Sequence, residues 1–200
     1  MTTRTLITLL ITTVSLFSLS ACTNTVQYGK VTPSENNTFY ASNDELISAA
    51  EKMTRNLLAY PTIKAMLKRK HPKIAIISLI NQTSGAIDTN LMEDALVESL
   101  EQSGKFSITN RDNAKTAQAN ITNNQLFPFI DASIAKKIGS KTKADYLLYG
   151  SLDNIIRTKP NKKEVYYKFK LHMLNTKSGK VVWQNELEIL KSKKKAVFGI

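Results

Sequence analysis

The sequence predicts an α/β fold: a small mixed sheet with an antiparallel C-terminal meander, flanked by helices. Three observations indicate this fold. The aliphatic run KIAIISLIN is typical of a strand buried on both faces. Segments with the apolar period of a helix lie before and after it. Near the C-terminus, three strand-like segments are separated by short turns.

The first helix is predicted from residue 42 to about Tyr60. Ser42 and Glu45 form a possible capping box at its start. Pro61 marks the break at its end. A short basic helix, TIKAMLKRK, follows, and the aliphatic strand then spans residues 73–81.

Alternating elements are predicted next. A helix covers residues 90–103, with Gly104 just past its end. KFSIT is a second, short strand, and residues 112–126 are weakly helical. DASIAKKIG forms a further short helix, with Asp131 near its start and Gly139 past its end.

The meander is predicted from three segments. ADYLLYGSLDNIIRT is a strand with a bend at Gly150. PNKK turns it into EVYYKFKLHML, and NTKSG turns that strand into KVVWQNELEIL. Apolar residues alternate with mostly polar ones, so we expect one buried face and one solvated face.

The N-terminal residues are typical of an export signal. Residues 6–19 carry no charge, and Arg4 is the only charged side chain before them. As a helix they would span roughly 21 Å, which is short of a hydrocarbon core of about 30 Å. We therefore interpret residues 1–21 as a signal peptide.

The single cysteine follows directly, in LSAC. This stretch resembles the bacterial lipobox, which implies that Cys22 is lipidated after cleavage before it, whereas a small buried or incidental cysteine is the alternative. Thr23, in place of an Asp, implies sorting to the outer membrane, on its periplasmic face. Residues 23–42 are polar and lack an apolar period, so residues 22–42 are predicted to be the lipidated cysteine and a flexible tether, and 43–200 the globular domain. The tether would reach roughly 70 Å fully extended and about 25 Å as a coil.

No constellation of residues indicates catalysis, a cofactor or a metal. Neither His71 nor His172 stands at metal-ligand spacing, and we expect His172 to be exposed or to face a partner. GxSxG and P-loop patterns are absent from the sequence. Two carboxylate sets could be catalytic pairs, but carboxylates at helix starts or alternating on strands are more often structural. These sets are Asp88 with Glu93 and Asp94, and Glu186 with Glu188.

Positive charge is concentrated near the C-terminus. The net charge is +12, and the segment from Arg157 onward has twelve Lys or Arg against three Glu. Tyr166 and Tyr167 lie between lysines, as in proteins that bind nucleic acids, but export argues against such a target. An acidic protein partner, an anionic envelope surface, or a solvated face whose lysines prevent edge-to-edge aggregation remain open.

Several segments carry a family resemblance from about Asp44 to residue 199. They are AEKMTRNLLAYP, INQTSGAIDT, LEQSGKFSITNRD, ADYLLYGSL and YYKF…TKSGKVVW. In this order they resemble the LpoB family, outer-membrane lipoproteins that activate penicillin-binding proteins. ADYLLYGSL also occurs in looser relatives with a TolB N-terminal-like fold.

The resemblance implies a non-enzymatic monomer that regulates peptidoglycan synthesis, and hence cell shape. It implies docking on a non-catalytic domain of a class A bifunctional penicillin-binding protein, with no nucleic acid bound. A lipoprotein component of an envelope assembly or secretion machine is the alternative, because TolB-like domains also occur there. An enzyme acting on glycan or peptide would need residues that the chain lacks.

Two docking surfaces are predicted. The first is a polar face formed by Arg157, Lys162, Lys163, Tyr166 and Lys168. The second is the loop that contains Asn81 and Asp88, although Asn81, Gly85 and Asp88 could instead serve turn geometry.

Overall fold

A six-stranded mixed sheet with helices on its two faces organises the chain. The computed structural model describes residues 40–123 and 129–194. The helices are α1 (Asn43–Ala59), α2 (Pro61–Leu67), α3 (Asn90–Ser103), α4 (Arg111–Thr122) and α5 (Ala132–Thr142). The strands are β1 (Lys73–Ile76), β2 (Ile80–Gln82), β3 (Ser107–Ile108), β4 (Tyr146–Lys159), β5 (Lys162–Asn175) and β6 (Val181–Lys194).

The strand order is β3-β1-β4-β5-β6, and β2 pairs with β4 beyond the end of β1. β1 is parallel to both β3 and β4, and β2 is parallel to β4. The last three strands are antiparallel neighbours. The predicted fold class, a mixed sheet with an antiparallel C-terminal meander, is confirmed.

The aliphatic run is divided where the sequence predicts one strand over residues 73–81. β1 and β2 are separated by residues 77–79. In this break, side chains from two helices accept the backbone hydrogen bonds that a ladder would otherwise make. Leu79 N–H donates to Glu93 Oε1 at 2.7 Å, and Ser78 N–H donates to Gln118 Oε1 at 2.9 Å. Burial on both faces is confirmed, because Ile74 and Ala75 belong to the cores on opposite sides of the sheet.

The predicted start and end of α1 and the predicted end of α3 are confirmed. Ser42 and Glu45 form the capping box of α1, which satisfies donors that the first turn leaves unpaired. Pro61 begins α2, and its missing N–H is no loss at that position. Gly104 follows α3 with a φ of 60°, a left-handed conformation that glycine adopts without strain.

The end of α5 differs from the prediction. Gly139 lies inside the helix, which continues to Thr142 and ends at Lys143 with a φ of 55°. The glycine is needed for packing, since a Cβ at this position would overlap the side chain of Thr176. Its role is close approach between α5 and the turn after β5.

The meander has the predicted alternation. Apolar side chains of β5 are buried on one face, and the residues between them are mostly half-buried. At Gly150 the pairing of β4 with β5 runs on without a shift, so the predicted bend does not interrupt the ladder. A Cβ there would overlap the carbonyl oxygen of Lys170, and this close approach accounts for the glycine.

The two faces of the sheet are covered unequally. α1, α2 and α3 pack on one face over the larger core, which includes Tyr167, Phe169 and Trp183. α4 and α5 pack on the other face over a smaller core that reaches only Leu147, Tyr149 and Leu174 of the meander. Within residues 40–123 and 129–194, no helix covers the rest of this second face.

Candidate docking surface

The part of the second face that α4 and α5 leave uncovered is a continuous three-stranded surface, here called the open sheet face. Because side chains alternate between the two faces of a strand, the register identifies its members. They are Asp153, Ile155, Arg157 and Lys159 of β4, Lys162, Glu164, Tyr166, Lys168 and Lys170 of β5, and Glu186, Glu188, Leu190 and Ser192 of β6.

Four of the five residues predicted for the first docking surface lie together on the open sheet face. The guanidinium carbon of Arg157 lies over the ring of Tyr166, 4.9 Å from its centroid. Lys162 and Lys168 are on the same side of β5. Lys163 alternates onto the opposite face, beside Val165, so its predicted place in this group is wrong.

The lysines in the middle of the open sheet face are paired with carboxylates. Lys168 Nζ lies 2.9 Å from Glu186 Oε1 and 3.0 Å from Glu188 Oε1. The hydrogen bond to Glu186 raises the pKa of Lys168 above its ordinary value. Lys170 Nζ lies 3.1 Å from Asp153 Oδ2. Both carboxylates of the suspected Glu186 and Glu188 pair therefore have a structural role.

At the hairpin end, Glu164 is surrounded by cations. Lys162 and Lys159 both form ion pairs with it, and the Tyr166 hydroxyl donates to its Oε2 at 3.3 Å. The hydrogen bond from Lys162 lowers the pKa of Glu164 below its ordinary value. The side chain of Glu164 is only 6 % exposed. The open sheet face thus carries mixed charge and not the uniform positive charge of its sequence segment.

An apolar row crosses the open sheet face between two charged rows. Ile155, Tyr166 and Leu190 are cross-strand neighbours, and Ile155 is 47 % exposed. One flanking row contains Asp153, Lys168 and Glu188, and the other contains Arg157, Glu164 and Ser192. Apolar and aromatic contacts within a polar rim are the usual composition of a protein–protein interface.

Sequence reasoning missed Ile155 and Leu190. A signal for the first was present, because NIIRT contains two adjacent isoleucines in a strand, and only one of them can face the core. In the structure neither is buried: Ile156, on the opposite face, is 42 % exposed. Ile156 is exposed although its cross-strand partner, Val165, is buried in the larger core.

The second predicted surface, the loop after β2, is organised by its own side chains. Asn81 Nδ2 donates to the carbonyl oxygens of Gly85 and Ile87, and Asn81 Oδ1 accepts from Thr83 N–H at 2.9 Å. Asp88 Oδ1 accepts from Asn90 N–H at 2.9 Å, which lowers the pKa of Asp88. These contacts favour the turn-geometry alternative for Asn81 and Asp88.

The remaining carboxylates of the suspected catalytic sets are held in ion pairs. Glu93 is buried and lies 2.9 Å from Arg111 Nη2 and 2.7 Å from Lys115 Nζ. Asp94 forms an ion pair with the same arginine. Glu93 is thus more than a charge that complements the helix dipole, because it also accepts from Leu79 in the break between β1 and β2.

His172 is half-buried and not exposed as predicted. Its ring stacks on Tyr149 with 5.1 Å between the centroids, and burial lowers the pKa of His172.

Within residues 40–123 and 129–194, no three His, Cys, Asp or Glu side chains are grouped so that they could hold a metal ion. In the same ranges, none of the helices has the length and hydropathy that crossing a bilayer requires. Cys22 lies outside the described residues.

Comparisons with known proteins identify relatives of this fold. The family model described as "Peptidoglycan-synthase activator LpoB" matches residues 45–189. The solved LpoB C-terminal domain from Salmonella enterica is similar, with a TM-score of 0.51 and 18% identity over 72% of this chain and 98% of that chain. The corresponding domain from Escherichia coli gives a TM-score of 0.52 and 16% identity over the same shares. The NMR structure of E. coli LpoB gives a TM-score of 0.50 and 15% identity over 90% of this chain and 83% of that chain. No curated protein sequence shows a significant match to the chain.

Proposed function

Because the chain belongs to the LpoB family of peptidoglycan-synthase activators, we propose that it activates a class A bifunctional penicillin-binding protein by docking on a non-catalytic domain of that enzyme. It acts as a binding protein and not as a catalyst. As an activator it must bind the active state of the synthase more tightly than the inactive state, since only a difference in affinity shifts a conformational equilibrium.

The observation that supports a docking role most strongly is the apolar row of Ile155, Tyr166 and Leu190 within its charged rim. An exposed isoleucine beside a tyrosine that stacks with Arg157 offers the residue types that dominate binding energies at interfaces. The surrounding ion pairs supply both signs of charge, and these would orient a partner and select against wrong ones. We assign the docking surface to the open sheet face on these grounds.

The proposal includes an anchor at the outer membrane. Residues 1–21 act as the signal, Cys22 receives the acyl chains, and residues 22–42 form the tether to the domain. More than one acyl chain is needed for stable anchoring, and a lipobox cysteine would receive enough. Confinement on the periplasmic side would raise the effective concentration of the domain near a synthase.

Two neighbouring residues give a matched test of the docking surface. Residues 22–200 with Cys22→Ser are titrated by calorimetry against the docking domain of the organism's own class A penicillin-binding protein, and the glycan polymerisation rate is measured in parallel. Ile155→Ser removes an exposed apolar side chain from the open sheet face. Ile156→Ser makes the same change at nearly the same exposure on the opposite face.

We expect Ile155→Ser to weaken the affinity about tenfold and Ile156→Ser to leave it unchanged. Binding should also weaken as salt increases, through the charged rim. If only Ile156→Ser weakens the affinity, the docking surface lies on the opposite face of β4, where Asn154 Oδ1 accepts a hydrogen bond from Ser84 N–H of the loop. Absence of binding to every class A enzyme of the organism would reject the activator function and favour the assembly or secretion component.

A further inference from the structure

A second charged surface lies on α5 and on the turn between β5 and β6. It consists of five exposed lysines, here called the α5 lysine cluster: Lys136, Lys137, Lys141, Lys143 and Lys177. The first three lie on α5, Lys143 is its C-terminal cap, and Lys177 is in the turn.

The turn is held firmly against α5, which brings Lys177 to the other lysines. Thr176 Oγ1 donates to the carbonyl oxygen of Ala144 at 2.8 Å, and its side chain packs on Gly139. Gly179 approaches Ala132 so closely that a Cβ on the glycine would overlap it. Packing therefore fixes the position of Lys177 relative to α5.

Two shallow depressions run through the cluster. One is lined by Ile121 and Ser133 together with Lys136, Lys137 and Lys141. The other is lined by Lys136, Lys143 and Lys177. Lys136 and Ser140 border both, so the lysines surround one continuous surface that also offers two serine hydroxyls.

These lysines differ from those of the open sheet face in having no carboxylate partner within the described part of the chain. Two acidic residues that adjoin α5 are already engaged: Asp145 Oδ2 accepts from Lys73 N–H at 3.0 Å, and Asp131 caps the start of α5. Proximity to the negative end of the helix dipole favours Lys141 and Lys143. It does not account for Lys136, Lys137 or Lys177.

The cluster lies at the far end of the sheet from the start of the domain. Glu45, near the N-terminus of α1, contacts Lys191, which is paired with Val165 at the beginning of β5. The cluster lies beside Asn175, at the end of β5. Ten residues of strand correspond to about 33 Å. The cluster is thus separated by about this distance from the first turn of α1.

We propose that the α5 lysine cluster binds the carboxylate-bearing stem peptides of peptidoglycan, and this rests on the periplasmic location proposed above. Several separate ammonium groups suit a polymer with repeated carboxylates, and the cluster contains no arginine, the residue that binds phosphate in bidentate fashion. The serine hydroxyls can hydrogen-bond the amide and sugar groups of the same polymer. This contact would hold the activator at the site of synthesis while the open sheet face remains available.

The test measures co-sedimentation of residues 22–200, carrying Cys22→Ser, with purified insoluble peptidoglycan sacculi at low salt. The cluster variant combines Lys136→Glu, Lys137→Glu and Lys141→Glu. The matched control makes the same change of charge at exposed lysines near α2, with Lys64→Glu, Lys68→Glu and Lys70→Glu. We expect the bound fraction to fall about tenfold in the cluster variant and to be maintained in the control.

Chemistry on the polymer gives a second, independent readout. Sacculi whose carboxylates have been converted to amides should retain little of the wild-type protein. The proposal would be overturned if the bound fraction fell equally in the cluster variant and the control. It would also be overturned if the wild-type protein bound amidated and untreated sacculi equally. Binding to vesicles of anionic phospholipid without binding to sacculi would overturn it as well. Affinity for the synthase docking domain should be unchanged in the cluster variant, so a failure of this proposal and a failure of the activator function are distinguishable.

Discussion

The ammonium nitrogen of Lys191 lies 2.8 Å from Oε1 and 2.9 Å from Oε2 of Glu45. This contact joins the last strand of the sheet to the first turn of the first helix. The lysine side chain is only 1 % exposed and the carboxylate 17 %. The same carboxylate accepts from Ser42 N–H at 2.8 Å, so one side chain both caps α1 and fixes it to β6.

Replacing Glu45 and replacing Lys191 should lower the free energy of unfolding by unequal amounts. Glu45→Gln leaves the ammonium group of Lys191 buried without a counter-charge, and we expect a loss of about 3 kcal/mol in the free energy of unfolding. Lys191→Met should destabilise the domain less, because Glu45 is nearer to solvent and keeps its bonds to Ser42. Urea denaturation of both variants and of the double variant gives the comparison. Equal losses would mean that water reaches Lys191.

Glu93 should contribute through two separable interactions. Glu93→Gln removes the ion pairs with Arg111 and Lys115 but keeps an acceptor for Leu79 N–H, and we expect a loss of about 3 kcal/mol. Glu93→Ala should cost about 1–3 kcal/mol more, since the buried backbone donor is then unpaired. Glu98→Gln, an exposed change on the same helix, is the control. Chemical denaturation measures all three, and equal stabilities of the Gln and Ala variants would contradict a role in the break between β1 and β2.

Gly139→Ala should destabilise the domain although alanine favours helices. The added Cβ would overlap Thr176, and the resulting strain of about 1–3 kcal/mol exceeds the helix-propensity gain of about 1 kcal/mol. Gly85→Ala is the matched control, because its nearest neighbour would be 3.9 Å away. Thermal unfolding should show a lower Tm for the first variant only. A raised Tm for Gly139→Ala would contradict the prediction, because it would show that the turn after β5 can shift to accommodate the added Cβ.

His172 should make the stability of the domain depend on pH. Burial lowers its pKa in the folded chain below the ordinary value of 6.5. The unfolded chain therefore binds the proton more readily, and the contribution of His172 is complete above pH 6.5 and is lost as the pH falls through the lowered pKa. His172→Gln should make the free energy of unfolding less dependent on pH in this window, as measured by denaturation at several pH values.

The fold was predictable where the determinants are close in sequence. The capping box involves Ser42 and Glu45, which are only three residues apart. The buried face of β5 follows from apolar residues at every second position of the strand. The break between β1 and β2 was not predictable, because Glu93 and Gln118 satisfy it from 14 and 40 residues away. Gly139 was misinterpreted for a similar reason, since its contact is with Thr176.

The candidate site was predicted in part. A count of charges along the chain identified the segment that contains Arg157 and Lys168, but it could not show that Asp153 on β4 and Glu186 and Glu188 on β6 neutralise its central lysines. Those carboxylates become neighbours only through the strand register. The α5 lysines are less dense in sequence, yet within the described residues they have no carboxylate partner.

The central place of β1 has a consequence for the order in which the sheet assembles. β1 lies between β3 and β4, and Lys73 N–H binds Asp145, 72 residues away. β4 and β5 are joined by only two residues and β5 and β6 by a short turn, so their loop-closure entropies are far smaller. We expect the amides of the meander to gain protection first in pulsed hydrogen exchange, and those of β1 last. A chain that emerges from its N-terminus would then leave one edge of β1 unpaired until β4 has followed it.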